Sequence, residues 1–224
     1  MDENVKLRVI IADDHTLFRK GLVSMFAERD DMQVIGDVEN GQAAVEMARA
    51  LSPDLVLMDV HMPGCDGITA VQVIKKEMPK IKVVMLSAFD DDDDLFAAIK
   101  NGANGYLLKN IPPSRFFKLL RGVVKGEAAI SGVLADRILR IFRASEEGTR
   151  PVDIVREPLT PREVDTLELL VQGKTNKEIA EALSVSENTV KRHLVDIMDK
   201  LHLENRIQLA VYAAHHGLDN PSTP

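Results

Sequence analysis

The chain of 224 residues has one cysteine, Cys65, which excludes an internal disulfide and leaves no partner thiols for a zinc site. A reducing, cytoplasmic setting is therefore expected, with Cys65 a loop residue without chemistry. Long apolar runs are also missing: nothing approaches the ~18 consecutive apolar residues of a membrane span. The opening stretch, MDENVKLRVI, is acidic where a secretory leader is basic and then apolar. No membrane partner is expected. Positive charge is short as well, with 28 Lys+Arg against 35 Asp+Glu and a net charge of −7. Residues 1–130 hold 16 basic and 20 acidic groups and residues 159–224 hold 7 and 10, so neither half has the basic bulk usual in a nucleic-acid binder. Internal repeats and low-complexity tracts are absent apart from the five aspartates Asp90 to Asp94. These lack the alternation and glycine of a calcium loop and read as a solvated loop and the acidic first turn of a helix. What remains is a 45% hydrophobic content over a length that suits two ordinary domains.

Strand and helix signals alternate through the first 125 residues. LRVIIA, MQVIGDV, LVLMD, KVVMLSA and NGYLLK read as strands, and each is followed by a stretch with helical spacing. Five such pairs predict a parallel, doubly wound α/β sheet of flavodoxin-like type. LVLM and VVML do not alternate, as expected for strands covered on both faces.

The ends of these runs carry the chemistry. Asp13 and Asp14 follow the first strand, Asp59 closes the third and Lys109 closes the fifth. Ligands in such sheets bind beyond the carboxyl ends of the strands, near the topological switch point. Three carboxylates crowded there resist joint ionisation unless a divalent cation sits among them, and oxygen donors of this kind suit Mg²⁺. A site for Mg²⁺ and a phosphoryl group is the natural reading.

With DD at 13–14, DLVLMDVHMPGCDG around Asp59, Ser87 in VVMLSAF, and Tyr106 and Lys109 in NGYLLK, this half resembles the receiver domain of two-component response regulators along its whole length. The resemblance implies that Asp59 takes a phosphoryl group from a sensor histidine kinase. It implies that Asp14 and Asp59 hold Mg²⁺, with Asp13 assisting and the backbone carbonyl of His61 as a further ligand. Lys109 is expected to pair with the phosphoryl oxygens, Ser87 to donate its hydroxyl to one of them, and Tyr106 then to turn toward the core as the switch. Phe89, like the His61 side chain, stands where receivers tune the lifetime of the phosphoryl group. The family often has proline directly after the lysine, whereas here Pro112 comes three residues after Lys109.

From Glu127 the periodicity loosens. VLADRILRIF has the spacing of a short amphipathic helix, and ASEEGTRPVDIVREP reads as a linker. A second unit follows. Thr160, Pro161 and Glu163 form a capping box with proline at the first helical position, and Thr175 with Glu178 repeats the box. Ser184 to Ser186 predict a tight turn and Ser186 a cap, after which Val190, Leu194, Ile197 and Leu201 form an apolar stripe. A fourth helix is expected over about Asn205 to His215.

The register of TNKEIA, SENTVKRH and DKL within residues 158–218 resembles the four-helix, helix-turn-helix DNA-binding domain of the LuxR and NarL type. That resemblance implies a recognition helix over Glu187 to Lys200 that presents Lys191 and Arg192 to the major groove. Thr189 is expected to reach a phosphate or a base edge, and Asn176 and Lys177 to hold backbone phosphates. The whole chain then reads as a receiver (5–126), a linker with a short helix (127–157) and an all-α helix-turn-helix domain (158–221). Its implied partners are a sensor histidine kinase, double-stranded promoter DNA, a second copy of the chain after phosphorylation and, for an activating output, RNA polymerase. It is not read as an enzyme beyond its own phosphotransfer and dephosphorylation. A Mg²⁺-dependent phosphatase with an aspartyl nucleophile is the rival reading, but the second acid such enzymes carry two positions on is His61 here.

Overall fold

The computed structural model describes residues 6–88, 91–130, 159–201, 203 and 205–215. Phe89, Asp90, the helix expected at 133–142 and the linker residues beyond 130 lie outside the described residues. The chain divides into two compact units, Met1–Val124 and Lys125–Pro224.

In the first unit the strands β1 (Leu7–Ala12), β2 (Met32–Val38), β3 (Leu55–Asp59), β4 (Lys82–Ser87) and β5 (Gly105–Leu108) run parallel in the order β2-β1-β3-β4-β5. Helices α1 (Thr16–Ala27), α2 (Gly41–Leu51), α3 (Gly67–Glu77), α4 (Asp92–Lys100) and α5 (Pro113–Val124) alternate with them. Val9–Ala12, Leu55–Met58 and Val83–Leu86 are buried throughout, which is why their sequences do not alternate. Asn40, Asp66 and Asp91 cap α2, α3 and α4 by accepting hydrogen bonds from backbone N–H groups of the first turns. Phe26, Phe116 and Phe117 pack edge to face, with centroids 5.1 to 6.3 Å apart, and join α1 to α5. The first residues expected to be linker include a two-residue strand, β6 (Ala129–Ile130), too short for periodicity to reveal.

The second unit contains α6 (Pro161–Val171), α7 (Asn176–Leu183), α8 (Glu187–Leu201) and α9 (Arg206–His215). Both expected capping boxes form, at Thr160 with Glu163 and at Thr175 with Glu178. Ser186 Oγ accepts from Thr189 N at 3.1 Å, and Asn205 Oδ1 accepts from the N–H groups of Ile207 and Gln208 at 2.9 Å each. Ser184 makes the turn between α7 and α8 at φ 56°. One face of each helix meets in a core that includes Leu167, Leu170, Ile179, Val190, Ile197 and Leu209. Glu163 also accepts two hydrogen bonds from Lys200 Nζ, at 2.9 and 2.8 Å, fastening the start of α6 to the end of α8.

Candidate functional site

Parallel pairing brings the chemistry-bearing residues of four neighbouring strands to one edge. Ala12 lies opposite Met58, Asp59 opposite Leu86, and Ser87 opposite Leu108. Asp13, Asp59, Ser87 and Lys109 therefore stand side by side at the carboxyl ends of β1, β3, β4 and β5, and the chain reverses its strand order between β1 and β3. Lys109 N donates to Ser87 O at 2.8 Å, carrying the pairing one residue past β5. No cis peptide bond occurs among the described residues, the Lys109–Pro112 stretch included.

Asp13 and Asp59 are buried, while Asp14 is partly open to solvent. Lys109 Nζ lies 2.8 Å from Asp13 Oδ2 and 2.8 Å from Asp59 Oδ2, with hydrogen-bond geometry toward Asp59. Among the described residues Asp13 Oδ2 thus has an ion pair but no hydrogen bond, and Asp14 Oδ1 also makes none. Burial, and after it the Asp13 and Asp14 carboxylates, pushes the Asp59 carboxyl above its ordinary value against the pull of Lys109. Burial alone would lower the Lys109 ammonium, but Asp13 and Asp59 together hold it above its ordinary value. Burial dominates at Asp59, while at Lys109 the two carboxylates outweigh burial.

Sequence reasoning did not single out His15. Its ring Nδ1 lies 2.9 Å from Asp14 Oδ1 and 3.9 Å from Asp59 Oδ2, and single donor atoms of Asp13, Asp14, His15 and Asp59 all lie within 4.8 Å of one another. Its position directly after the acidic pair was the available signal. Arg19 was missed as well. Its Nη1 donates to the Asp13 carbonyl and its Nε to Asp37 Oδ2, so a buried guanidinium fixes the backbone from which Asp13 projects.

The loop after Asp59 is held just as closely. Val60 N donates to Leu86 O and Gly67 N to Val60 O, and a Cβ added at Gly67 would stand 1.9 Å from the Asp59 carbonyl oxygen. The exposed His61 ring pairs with Asp94 at 2.8 Å. Ser87 and Tyr106 are both buried. Tyr106, expected to act as the switch by turning toward the core, is fully buried on β5, where it pairs with Met85 of β4.

In the second unit, α8 leaves Arg192 exposed and Lys191 partly exposed, and Val195 is 50% exposed one turn beyond Lys191. Thr189 shares a 2.8 Å hydrogen bond with Ser186 within the cap, and Lys177 is exposed beside Glu181. Asn176 is a correction. The structure buries it to 2% exposure, and its Oδ1 accepts from Arg206 Nη1 at 2.6 Å while Arg206 Nη2 donates to Lys174 O. The side chain is committed to tying α9 to the turn before α7, not held out for a phosphate.

Residues 9–121 match the model of the response regulator receiver domain, and residues 157–213 match that of bacterial regulatory proteins of the luxR family. The chain is 39% identical to the transcriptional regulatory protein LiaR of Bacillus subtilis over 96% of this chain and 100% of that protein. Among solved structures it is similar to the response regulator ChrA of a heme-sensing two-component system, at 32% identity and a TM-score of 0.52 over 95% of this chain and 98% of that one. It is also similar to RcsB in a structure of two RcsB dimers bound to two parallel DNAs, at 26% identity and a TM-score of 0.55 over 93% and 98%. With the acidic edge of a parallel sheet in one unit and a capped four-helix unit after it, the chain belongs to the two-component response regulators that join a receiver domain to a LuxR-type DNA-binding domain.

Proposed function

We propose that Asp59 is the phosphoacceptor for a sensor histidine kinase and that its phosphorylation drives dimerisation and binding of the helix-turn-helix domain to double-stranded promoter DNA. The observation that carries this reading is the bridge from Lys109 to Asp13 and Asp59 at the ends of three parallel strands. An Asp59 oxygen attacks phosphorus as the bond to the donor imidazole nitrogen breaks. Lys109 then exchanges its carboxylate partner for a phosphoryl oxygen, Ser87 donates its hydroxyl to another, and Tyr106 acts as the switch residue.

The donor set suits Mg²⁺: hard oxygen groups in acid excess, with Asp13 Oδ2 and Asp14 Oδ1 making no hydrogen bond. Asp13, Asp14 and Asp59, with the His61 backbone carbonyl, are the residues that would hold it. When bound, Mg²⁺ supplies neutralisation of the charge on the phosphoryl oxygens and the carboxylates. Any catalysis is limited to the chain's own phosphotransfer and dephosphorylation.

The domain limits that fit are 5–126 for the receiver, 127–157 for the linker and 158–221 for the DNA-binding domain. Lys191 and Arg192 enter the major groove, Thr189 lies at the groove edge and Lys177 meets phosphate. Two copies on paired half-sites offset the acidic bulk charge. An activating output adds RNA polymerase as a partner. No described helix is long and apolar enough to cross a membrane, and a cytoplasmic location is proposed. Intact mass and gel filtration after incubation with a small acyl phosphate and Mg²⁺ test the reading. An adduct on wild type but not on Asp59→Ala, with a shift toward dimer, is expected; an equal adduct on both would overturn it.

A further inference from the structure

On the opposite edge of the sheet from the acidic cluster, a cavity of about 380 Å³ opens between the last turn of α1 and the start of β2. Val23 and Val34 are its accessible apolar groups, with Phe26 and Met32 buried behind them, and its charged groups are Lys6 and Arg29, with no carboxylate in the lining among the described residues. It is half open to solvent, with a small apolar floor and two cations at its rim.

The charge around it is out of keeping with a chain of net charge −7. Arg29 faces Asp31, but its Nε stays 3.9 Å from Asp31 Oδ1, beyond hydrogen-bond reach. Asp31 Oδ2 instead accepts from Arg121 Nε at 2.6 Å, and that bond holds the Asp31 carboxyl below its ordinary value. Arg29 Nε is buried and makes no hydrogen bond among the described residues, although its guanidinium is fixed 4.4 Å over the Phe117 ring. Lys6 has no ion pair among the described residues. Arg29 thus keeps a long ion pair to Asp31 but no hydrogen bond at Nε among the described residues, and a buried N–H of a guanidinium without an acceptor is costly.

We propose that this cavity binds a small amphiphilic carboxylate, its apolar body against Val23 and Val34 and its head paired with Arg29 and Lys6. A guanidinium is planar, and its forked N–H groups match the geometry of a carboxylate. The site lies on the receiver unit but shares no residue with the phosphoryl site, so it stands independently of the function proposed above.

Titration of the full chain with decanoate, followed by calorimetry and by amide chemical shifts, tests the assignment, with decanol and decyltrimethylammonium as charge controls. Saturable one-to-one binding is expected, with shifts centred on residues 23–34. Affinity should fall about ten-fold or more in Arg29→Gln and for decanol, as expected for the loss of a charge-assisted hydrogen bond. Lys6→Gln, at an exposed position, should weaken binding by a smaller factor and keeps the test decisive if Arg29→Gln fails to fold. No saturable binding, shifts centred elsewhere, equal affinity for decanoate and decyltrimethylammonium, or unchanged affinity in Lys6→Gln and Arg29→Gln would each overturn the proposal.

Discussion

Lys109 bridges Asp13 and Asp59, its ammonium 2.8 Å from a carboxylate oxygen of each. One cation serves three clustered carboxylates, and the Asp59 carboxyl is pushed above its ordinary value, by burial first. A carboxyl with a raised folded-state value costs the fold nothing while protonated. The cost appears as pH rises through the unfolded value toward the folded one. Asp59→Asn is therefore expected to melt a few degrees above wild type at pH 7 in chelator, roughly the effect of 1 kcal/mol on a domain of this size, and the gain should shrink toward pH 3. Thermal unfolding across that range decides it, and a less stable Asn variant at pH 7 would refute the charge argument.

Magnesium should reverse this penalty. At ten times its dissociation constant a ligand of the native state adds about 1.4 kcal/mol, so wild type should melt higher in Mg²⁺ than in chelator. Asp13→Asn with Asp14→Asn should remove that response, because those residues hold carboxylate oxygens without hydrogen bonds. An undiminished Mg²⁺ effect in the double variant would place the ion elsewhere.

Gly67→Ala should damage the phosphoacceptor loop from eight residues away. Its Cβ would meet the backbone of Asp59 itself, which cannot move like the end of a flexible side chain. A loss of about 2–3 kcal/mol is expected, measured by denaturant unfolding, together with slower adduct formation in intact mass. Wild-type values for both would show that α3 can shift freely against β3.

Glu163 links local and distant order in the DNA-binding unit, since one carboxylate completes the Thr160 capping box and receives Lys200. Burial alone would raise its carboxyl, but Lys200 and then the Thr160 contacts bring it below its ordinary value. Its contribution is present above the unfolded value and is lost as pH falls through the folded one. Glu163→Gln should cost about 1–2 kcal/mol at pH 7, and the difference from wild type should close below pH 4. A gap that stays constant with pH would assign the effect to packing.

Lys191→Ala with Arg192→Ala should reduce promoter binding by about 100-fold and flatten the slope of log affinity against log salt by about 2, one for each lost cation near phosphate. Asn176→Ala should instead lower stability, because it leaves Arg206 Nη1 without its acceptor. Fluorescence anisotropy at several salt concentrations separates the two. If Asn176→Ala changed the salt slope and not the melting temperature, the correction made for that residue would fail.

The strands and helices were legible because burial writes itself into local pattern: LVLM and VVML lack alternation, and the caps at Thr160, Thr175 and Ser186 announce helix starts. The acidic cluster was legible for the same reason, since each member ends an apolar run. Residues that act through distant partners were not. Arg19 reads as one more charge on an amphipathic helix until β1 and β2 bring it the Asp13 carbonyl and Asp37. Asn176 reads as a polar first-turn residue until Arg206, thirty positions later, takes its side chain. Spacing along one element carries no record of such partners.

Each described helix of the DNA-binding unit starts on a side chain only a few residues from the N–H groups it satisfies: Thr160, Thr175, Ser186 and Asn205. These local caps act beside two longer ties, Glu163 with Lys200 and Asn176 with Arg206. A unit capped this way carries the start signal of each described helix within its own sequence.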